Sequence, residues 1–198
     1  LKEVSFLFNA QLLGHQQIVI NAIEKKDLGI IVAPPGSGKT IVGLKIIADK
    51  KQPALIITHR KQIADQWIER IETFLGIPKN EIGKIGQGKT KIGKQITVAM
   101  IQSLSKELEK FDTRKILNAF GTIIVDECHH IPAETFRNAI SKLQTFYLYG
   151  LTATPFRKYN DSKLIFIHLG EVIAEIKSNE ISTSKRPKII IRNTELDV

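Results

Sequence analysis

Short β-branched apolar runs recur along the chain at Gly29–Ala33, Ala54–Thr58, Ile96–Met100, Thr122–Asp126 and Phe146–Leu151. None alternates strictly between apolar and polar residues, which is the pattern of strands buried on both faces of a parallel sheet. Between them lie stretches of helical spacing, Thr40–Lys50, Lys61–Leu75, Gln102–Lys110 and Ala133–Leu143, and a further helix over His15–Lys26 precedes the first strand. In the second of these, Ile63, Trp67, Ile71 and Phe74 recur at helical intervals and are expected to face the sheet. Pro132 suits the first turn of the last helix. Repeated strand–helix alternation predicts an α/β fold with a three-layer, doubly wound, mostly parallel sheet and right-handed crossovers.

Two regions break the rhythm. Ile77–Lys94 is rich in glycine and lysine and reads as a basic loop or a short hairpin. After Pro155, Arg157–Lys163 is polar, Leu164–Leu169 and Val172–Ile176 are apolar, and Lys188–Arg192 reads as a last strand. The expected organisation is a segment with one helix over 1–27, a nucleotide-binding domain over 28–157, and an extension over 158–198.

With 198 residues, 42% of them hydrophobic and 25% charged, the chain can bury one full-sized core. Its net charge of +9 points to a polyanionic partner. Cys128 is the only cysteine, so no intramolecular disulfide forms and a stapled secreted scaffold is excluded. No apolar run approaches the ~20 residues of a membrane span, and Leu1–Ile20 lacks a signal-peptide core. A cytoplasmic protein without a membrane partner is expected.

The sequence carries two Gly-Lys-Thr triplets. Gly83–Thr90 fits the full G-x-x-x-x-G-K-T pattern, whereas Ala33–Thr40 has alanine in place of the first glycine. Context favours the second of these segments. A phosphate loop must leave a buried strand and open a helix, so that successive amides and the helix N-terminus face the phosphates. Ala33–Thr40 follows an apolar run and precedes a helical stretch; Gly83–Thr90 is followed by Gly93 and a strand. Pro35, Gly36, Ser37, Gly38, Lys39 and Thr40 are therefore the expected nucleotide-binding residues, with Lys39 reaching the β- and γ-phosphates of ATP and Thr40 ligating Mg²⁺.

The run Gly121–Val125 leads into Asp126–Glu127. Ligands of open parallel sheets gather at the carboxyl ends of strands. Asp126 suits the hold on Mg²⁺ opposite Thr40, and Glu127 suits the base that polarises an attacking water. With Lys39, these are the expected catalytic residues. Cys128, His129 and His130 are adjacent and lack a second ligand cluster, so neither a zinc site nor a cysteine nucleophile is expected.

In chain order, APPGSGKT, DECH (Asp126–His129) and TAT (Thr152–Thr154) resemble the motif set of the first motor domain of superfamily-two helicases and translocases. Within that superfamily, GLTATPFR and LGEVIAEI are similar to the DNA-directed DEAD/DEAH-like branch of repair helicases and restriction-enzyme motor subunits. The resemblance implies a RecA-like P-loop NTPase domain that uses ATP and Mg²⁺ and moves on or unwinds DNA. It implies that Gln16 contacts the adenine, although Leu13-Gly14-His15 stands where the family often has Arg-Pro-Tyr. It further implies that Arg60, Gln102 and Ser103 contact the nucleic-acid backbone, and that His129 couples the acidic box to Thr152 and Thr154. A cap for its own helix is the other reading of Ser103, a solvated surface position that of Arg60, and a satisfied, partly buried histidine that of His129. For Lys84–Lys94, with Lys89 and Lys91, a DNA contact and a solvated charge run are both open. The resemblance also implies a second RecA-like domain bearing an arginine finger, which nothing after Pro155 resembles; the expectation is half an engine. A P-loop small-molecule kinase or NTPase would leave DECH, TAT and the net charge unexplained. A non-catalytic nucleic-acid module would leave Lys39, Thr40, Asp126 and Glu127 without a use.

Overall fold

The computed structural model describes residues 3–110, 113–130, 133–154, 167–177 and 180–181. In chain order the elements are α1 (Gly14–Ile23), β1 (Leu28–Val32), α2 (Lys39–Lys50), β2 (Ala54–Thr58), α3 (Lys61–Leu75), β3 (Gly83–Gly86) and β4 (Lys89–Lys91). They continue with β5 (Ile96–Met100), α4 (Ile101–Glu107), α5 (Arg114–Leu117), β6 (Thr122–Asp126), a 3-10 turn (Cys128–His130), α6 (Ala133–Ile140), β7 (Tyr147–Thr152) and β8 (Val172–Glu175). The strands form one sheet in the order β4-β3-β5-β2-β6-β7-β1-β8, parallel throughout except for the β3–β4 hairpin.

Alternate residues of each central strand feed two separate cores. Ile31, Ile56 and Ile124 join Val42, Ile46, Trp67 and Ile71, under α2 and α3. Their neighbours Ile30, Leu55, Ile57, Ile123 and Val125 join Leu104, Leu108, Ile116 and Ile140, under α4, α5 and α6. Helices thus cover both faces, which is why β2 and β6 are buried along their whole length and read as continuous apolar runs. The apolar side of α3 centres on Ala64, Trp67, Ile68, Ile71 and Leu75; Ile63 and Phe74 pack at its margin.

The spans expected for β2, β5, β6 and α3 coincide with those observed, and Ile77–Lys94 contains the short hairpin. Three helices end earlier than their periodicity suggests. At each end a tight i→i−3 closure replaces the last turn: Lys26 N–H bonds Ile23 O, Lys110 N–H bonds Glu107 O, and Leu143 N–H bonds Ile140 O. Four-residue α5 is too short to show a period. Residues 172–175 of the expected extension pair with β1 and add an edge to the sheet. Pro132, Pro155, 157–166 and 188–192 lie outside the described residues.

Gly43 is the one glycine inside α2, where it forgoes about 1 kcal/mol of helix propensity relative to alanine. A Cβ there would lie 2.7 Å from Trp67 Cη2 and 3.2 Å from Leu151 Cδ1, so the glycine admits the indole between α2 and the sheet. Gly43→Ala is therefore expected to destabilise the chain by about 1–3 kcal/mol through overpacking despite the propensity gain. Denaturant unfolding checks the sign.

Candidate active site

The strand order reverses around β1, the strand that opens into α2, and such switch points hold ligands in doubly wound sheets. Ala33, at the end of β1, leads through Pro34 and Pro35 to Gly36 (φ 80°) and Gly38 (φ 82°), the N-cap of α2. A Cβ on Gly38 would lie 2.2 Å from Gln16 Nε2, so close approach and left-handed backbone together require glycine here. Lys39 and Thr40 occupy the first turn of α2, where amides have no preceding turn to bond. The rejected pattern, Gly83–Thr90, forms the β3–β4 hairpin instead, with Thr90 paired to Ile85.

Gln16 is buried, and both ends of its amide are engaged: Oε1 accepts from Leu13 N–H at 3.0 Å and Nε2 donates to Ser37 O at 2.9 Å. The His15 ring also reaches Ser37 O, at 3.1 Å. In this form Gln16 ties α1 to the phosphate loop. Ser37 Oγ is buried and has no hydrogen-bond partner.

Across the loop, Lys39 Nζ lies 3.2 Å from Glu127 Oε1 and donates to Ala33 O at 3.1 Å. Glu127 has a φ of 48°, an uncommon conformation for a residue with a Cβ, directly after β6. Its Oε2 lies 3.4 Å from His129 Nδ1 and accepts from Ala153 N–H at 3.4 Å. His129 Nδ1 meets Thr152 Oγ1 at 2.6 Å, and Thr152 Oγ1 donates to Thr154 O at 2.9 Å. The structure thus brings together Lys39, Asp126, Glu127, His129, Thr152 and Thr154 from three segments of chain.

Asp126 is 7% exposed. Its Oδ2 accepts from Trp67 Nε1–H at 2.7 Å and its Oδ1 from Glu127 N–H at 2.9 Å. Burial nonetheless holds its carboxyl above the usual aspartate range. Trp67 was legible only as a core residue; its donor role depends on α3 packing beside α2 over β2 and β5, from where the indole reaches the end of β6, and no local pattern shows this. Cys128 is buried, and desolvation together with the carboxylates of Glu127 and Asp126 pushes its thiol up to about 12.

These groups fit a magnesium nucleotide. A loop with glycines at positive φ that opens into a helix N-terminus suits phosphates, the orphaned Ser37 hydroxyl suits a polar neighbour, and the buried Asp126 carboxylate suits a cation, with half-buried Thr40 as a hydroxyl ligand.

Arg60, Gln102 and Ser103 form a separate group. Arg60 caps α3 and is exposed, as is Gln102; Ser103 is half-buried. Met100, and not Ser103, is the N-cap of α4, which has no side-chain cap bond. The register of β2 with β5 sets Thr58 beside Met100, so all three residues emerge at one edge of the sheet.

This fold and this site define a superfamily-two motor domain of the RecA-like kind. Residues 9–157 match the model of the family described as the res subunit of type III restriction enzymes, and the chain belongs to that family. It is 31% identical over 165 residues to a putative DNA 3'-5' helicase Rad25 of Haloarcula marismortui, covering 82% of this chain and 26% of that one. It is 33% identical over 172 residues to the DNA 3'-5' translocase XPB2 of Sulfurisphaera tokodaii, covering 87% and 37%. Among solved structures it is similar to the SWI2/SNF2 ATPase core of Sulfolobus solfataricus in complex with dsDNA, with a TM-score of 0.68, 21% identity, and 86% and 37% of the two chains covered. The chain spans between a quarter and two-fifths of the length of these relatives.

Two outcomes are expected of this buried cluster. Trp67→Phe keeps a ring in the core and deletes the donor to Asp126; unfolding free energy is expected to fall by about 1.5–3 kcal/mol, measured by chemical denaturation. Cys128 is expected to resist alkylation at pH 8 until the chain unfolds. Because its folded value is the higher one, its contribution to stability falls as pH climbs above the ordinary thiol value of 9.0 toward about 12.

Proposed function

We propose that the chain is the ATP-binding motor domain of an ATP-dependent DNA helicase or translocase. The observation that carries the proposal is the Lys39–Glu127 pair beside buried Asp126. A phosphate-loop lysine and a strand-end carboxylate hold one another where a γ-phosphate and an attacking water would each need one of them. Incoming phosphate competes for Lys39 and frees Glu127 Oε1. Glu127 then accepts a proton from the water as its oxygen bonds to the γ-phosphorus; the bond to the β–γ bridging oxygen breaks, releasing ADP and phosphate. Lys39 offsets charge on the phosphoryl oxygens. Mg²⁺, held by Thr40 and Asp126, supplies further neutralisation when bound.

DNA enters the reading from the named activities of the relatives, the solved complex with dsDNA and the net charge of +9. Arg60, Gln102 and Ser103 are the backbone contacts in this reading, Gln16 the adenine contact. The run from Glu127 through His129 to Thr152 and Thr154 is the coupling between nucleotide and DNA faces. A second RecA-like domain closes over the nucleotide and completes the engine, which accords with the share of its relatives that the chain spans.

Lys39→Ala is expected to weaken Mg·ATP binding by about tenfold or more, the worth of a charge-assisted hydrogen bond. Glu127→Gln is expected to bind ATP as well as the parent while abolishing turnover in the full-length protein. Calorimetric titration and a phosphate-release assay measure the two. Unchanged affinity in the lysine variant, or normal hydrolysis in the glutamine variant, would reject the assignment.

A further inference from the structure

The hairpin of β3 and β4 takes no part in the nucleotide site. Lys84 pairs with Lys91 and Gly86 with Lys89 across it. Paired and alternate residues of a two-stranded ribbon share a face, so the three lysines project on one side while Ile85 projects on the other into the core under α4. All three are exposed, and Lys61, the first residue of α3, joins Lys84 and Lys89 in lining one groove, where Asp65 is the sole acidic residue.

Like charges directly opposite across a strand pair are destabilising. Elsewhere Lys26, Lys45, Lys51, Lys79 and Lys110 each meet a carboxylate, while among the described residues Lys25, Lys94, Lys106, Lys115 and Lys142 meet none. Among the described residues Lys61, Lys84 and Lys89 meet none, and Lys91 meets only the Asn80 carbonyl. The row is thus left in want of an anion.

Its place in the sheet says which one. Ile85 pairs with Ala99 of β5 in parallel register, so the turn Gln87–Gly88 emerges at the edge that carries Gln102, Ser103 and, one strand further, Arg60. At ~4.8 Å per strand the hairpin stands about 10 Å from Arg60, the axial run of about three nucleotides.

We propose that Lys84, Lys89 and Lys91 form a rail for the DNA sugar–phosphate backbone, lengthening the track beyond Arg60, Gln102 and Ser103. Lysines act there as point charges that position without reading sequence. The inference rests on the proposed DNA-binding function. The bland use of such lysines is to guard an edge strand against pairing with another chain.

The test is anisotropy of a labelled duplex titrated with the chain at several salt concentrations. The triple variant Lys84→Ala/Lys89→Ala/Lys91→Ala is expected to flatten the slope of log K against log salt by about 2–3, near 0.9 per lost phosphate contact. Replacing the three by arginine should restore it. A control of equal charge loss on other surfaces, Lys25→Ala/Lys115→Ala/Lys142→Ala, should leave it within one unit of the parent. A parent that binds duplex while the triple variant keeps its slope would overturn the rail alone; self-association of that variant would then identify edge protection. An equal drop in the control would overturn it too, as diffuse charge. A parent that binds no duplex at any salt would overturn the DNA reading along with the rail.

Discussion

A carboxylate withdrawn from water costs several kcal/mol unless fixed donors replace the solvent, and Asp126 is such a group, at the end of a strand buried along its whole length. Both of its donors are set by constraints elsewhere. The Trp67 indole reaches it because Gly43 leaves room between α2 and the sheet. The amide at Oδ1 belongs to Glu127, whose left-handed backbone carries the carboxylate that meets Lys39. Strain of this kind costs of order 1–3 kcal/mol and persists only where its surroundings fix it. The site is thus held by packing on one side and by an ion pair on the other.

Helix α3 spans both regions of interest. Its cap is Arg60, at the edge assigned to the nucleic-acid backbone, and Trp67 lies seven residues on, a rise of about 10 Å. Trp67 touches the buried carboxylate, so a displacement of α3 along its axis is felt at Asp126. The second connection runs from Glu127 through His129 to Thr152 and the Thr154 carbonyl. Both are chains of direct contacts between packed elements, the kind of physical continuity that coupling between two faces needs.

The fold was legible wherever burial wrote itself into composition. β2, β5, β6 and α3 have unbroken apolar runs or a clear helical period, and their ends could be read from sequence. The ends of α1, α4 and α6 could not, because a tight i→i−3 turn replaces the last helical turn of each. Candidate site residues were legible where the pattern is local: Lys39 and Thr40 follow a strand and open a helix, and Asp126 ends a strand with Glu127 directly after it. Trp67 was not, since its neighbours in sequence explain it fully as core and only the tertiary packing of α3 brings its indole to Asp126. The positive φ of Glu127 was also invisible, because no residue preference announces it.

The two Gly-Lys-Thr triplets show how little of the chemistry resides in the triplet. Gly38 and Gly88 have nearly the same φ, 82° and 74°. The element that each glycine opens decides the outcome. After Gly38, Lys39 begins a twelve-residue helix, and its amides and dipole converge on one point beyond the N-terminus. After Gly88, Lys89–Lys91 turns back along β3, and its backbone is committed to the ladder with Gly86, Ile85 and Lys84. A ladder points successive side chains to opposite faces and leaves no convergent set of amides. The first triplet can therefore enclose a phosphate with its backbone, whereas the second can only present side-chain charge along an edge.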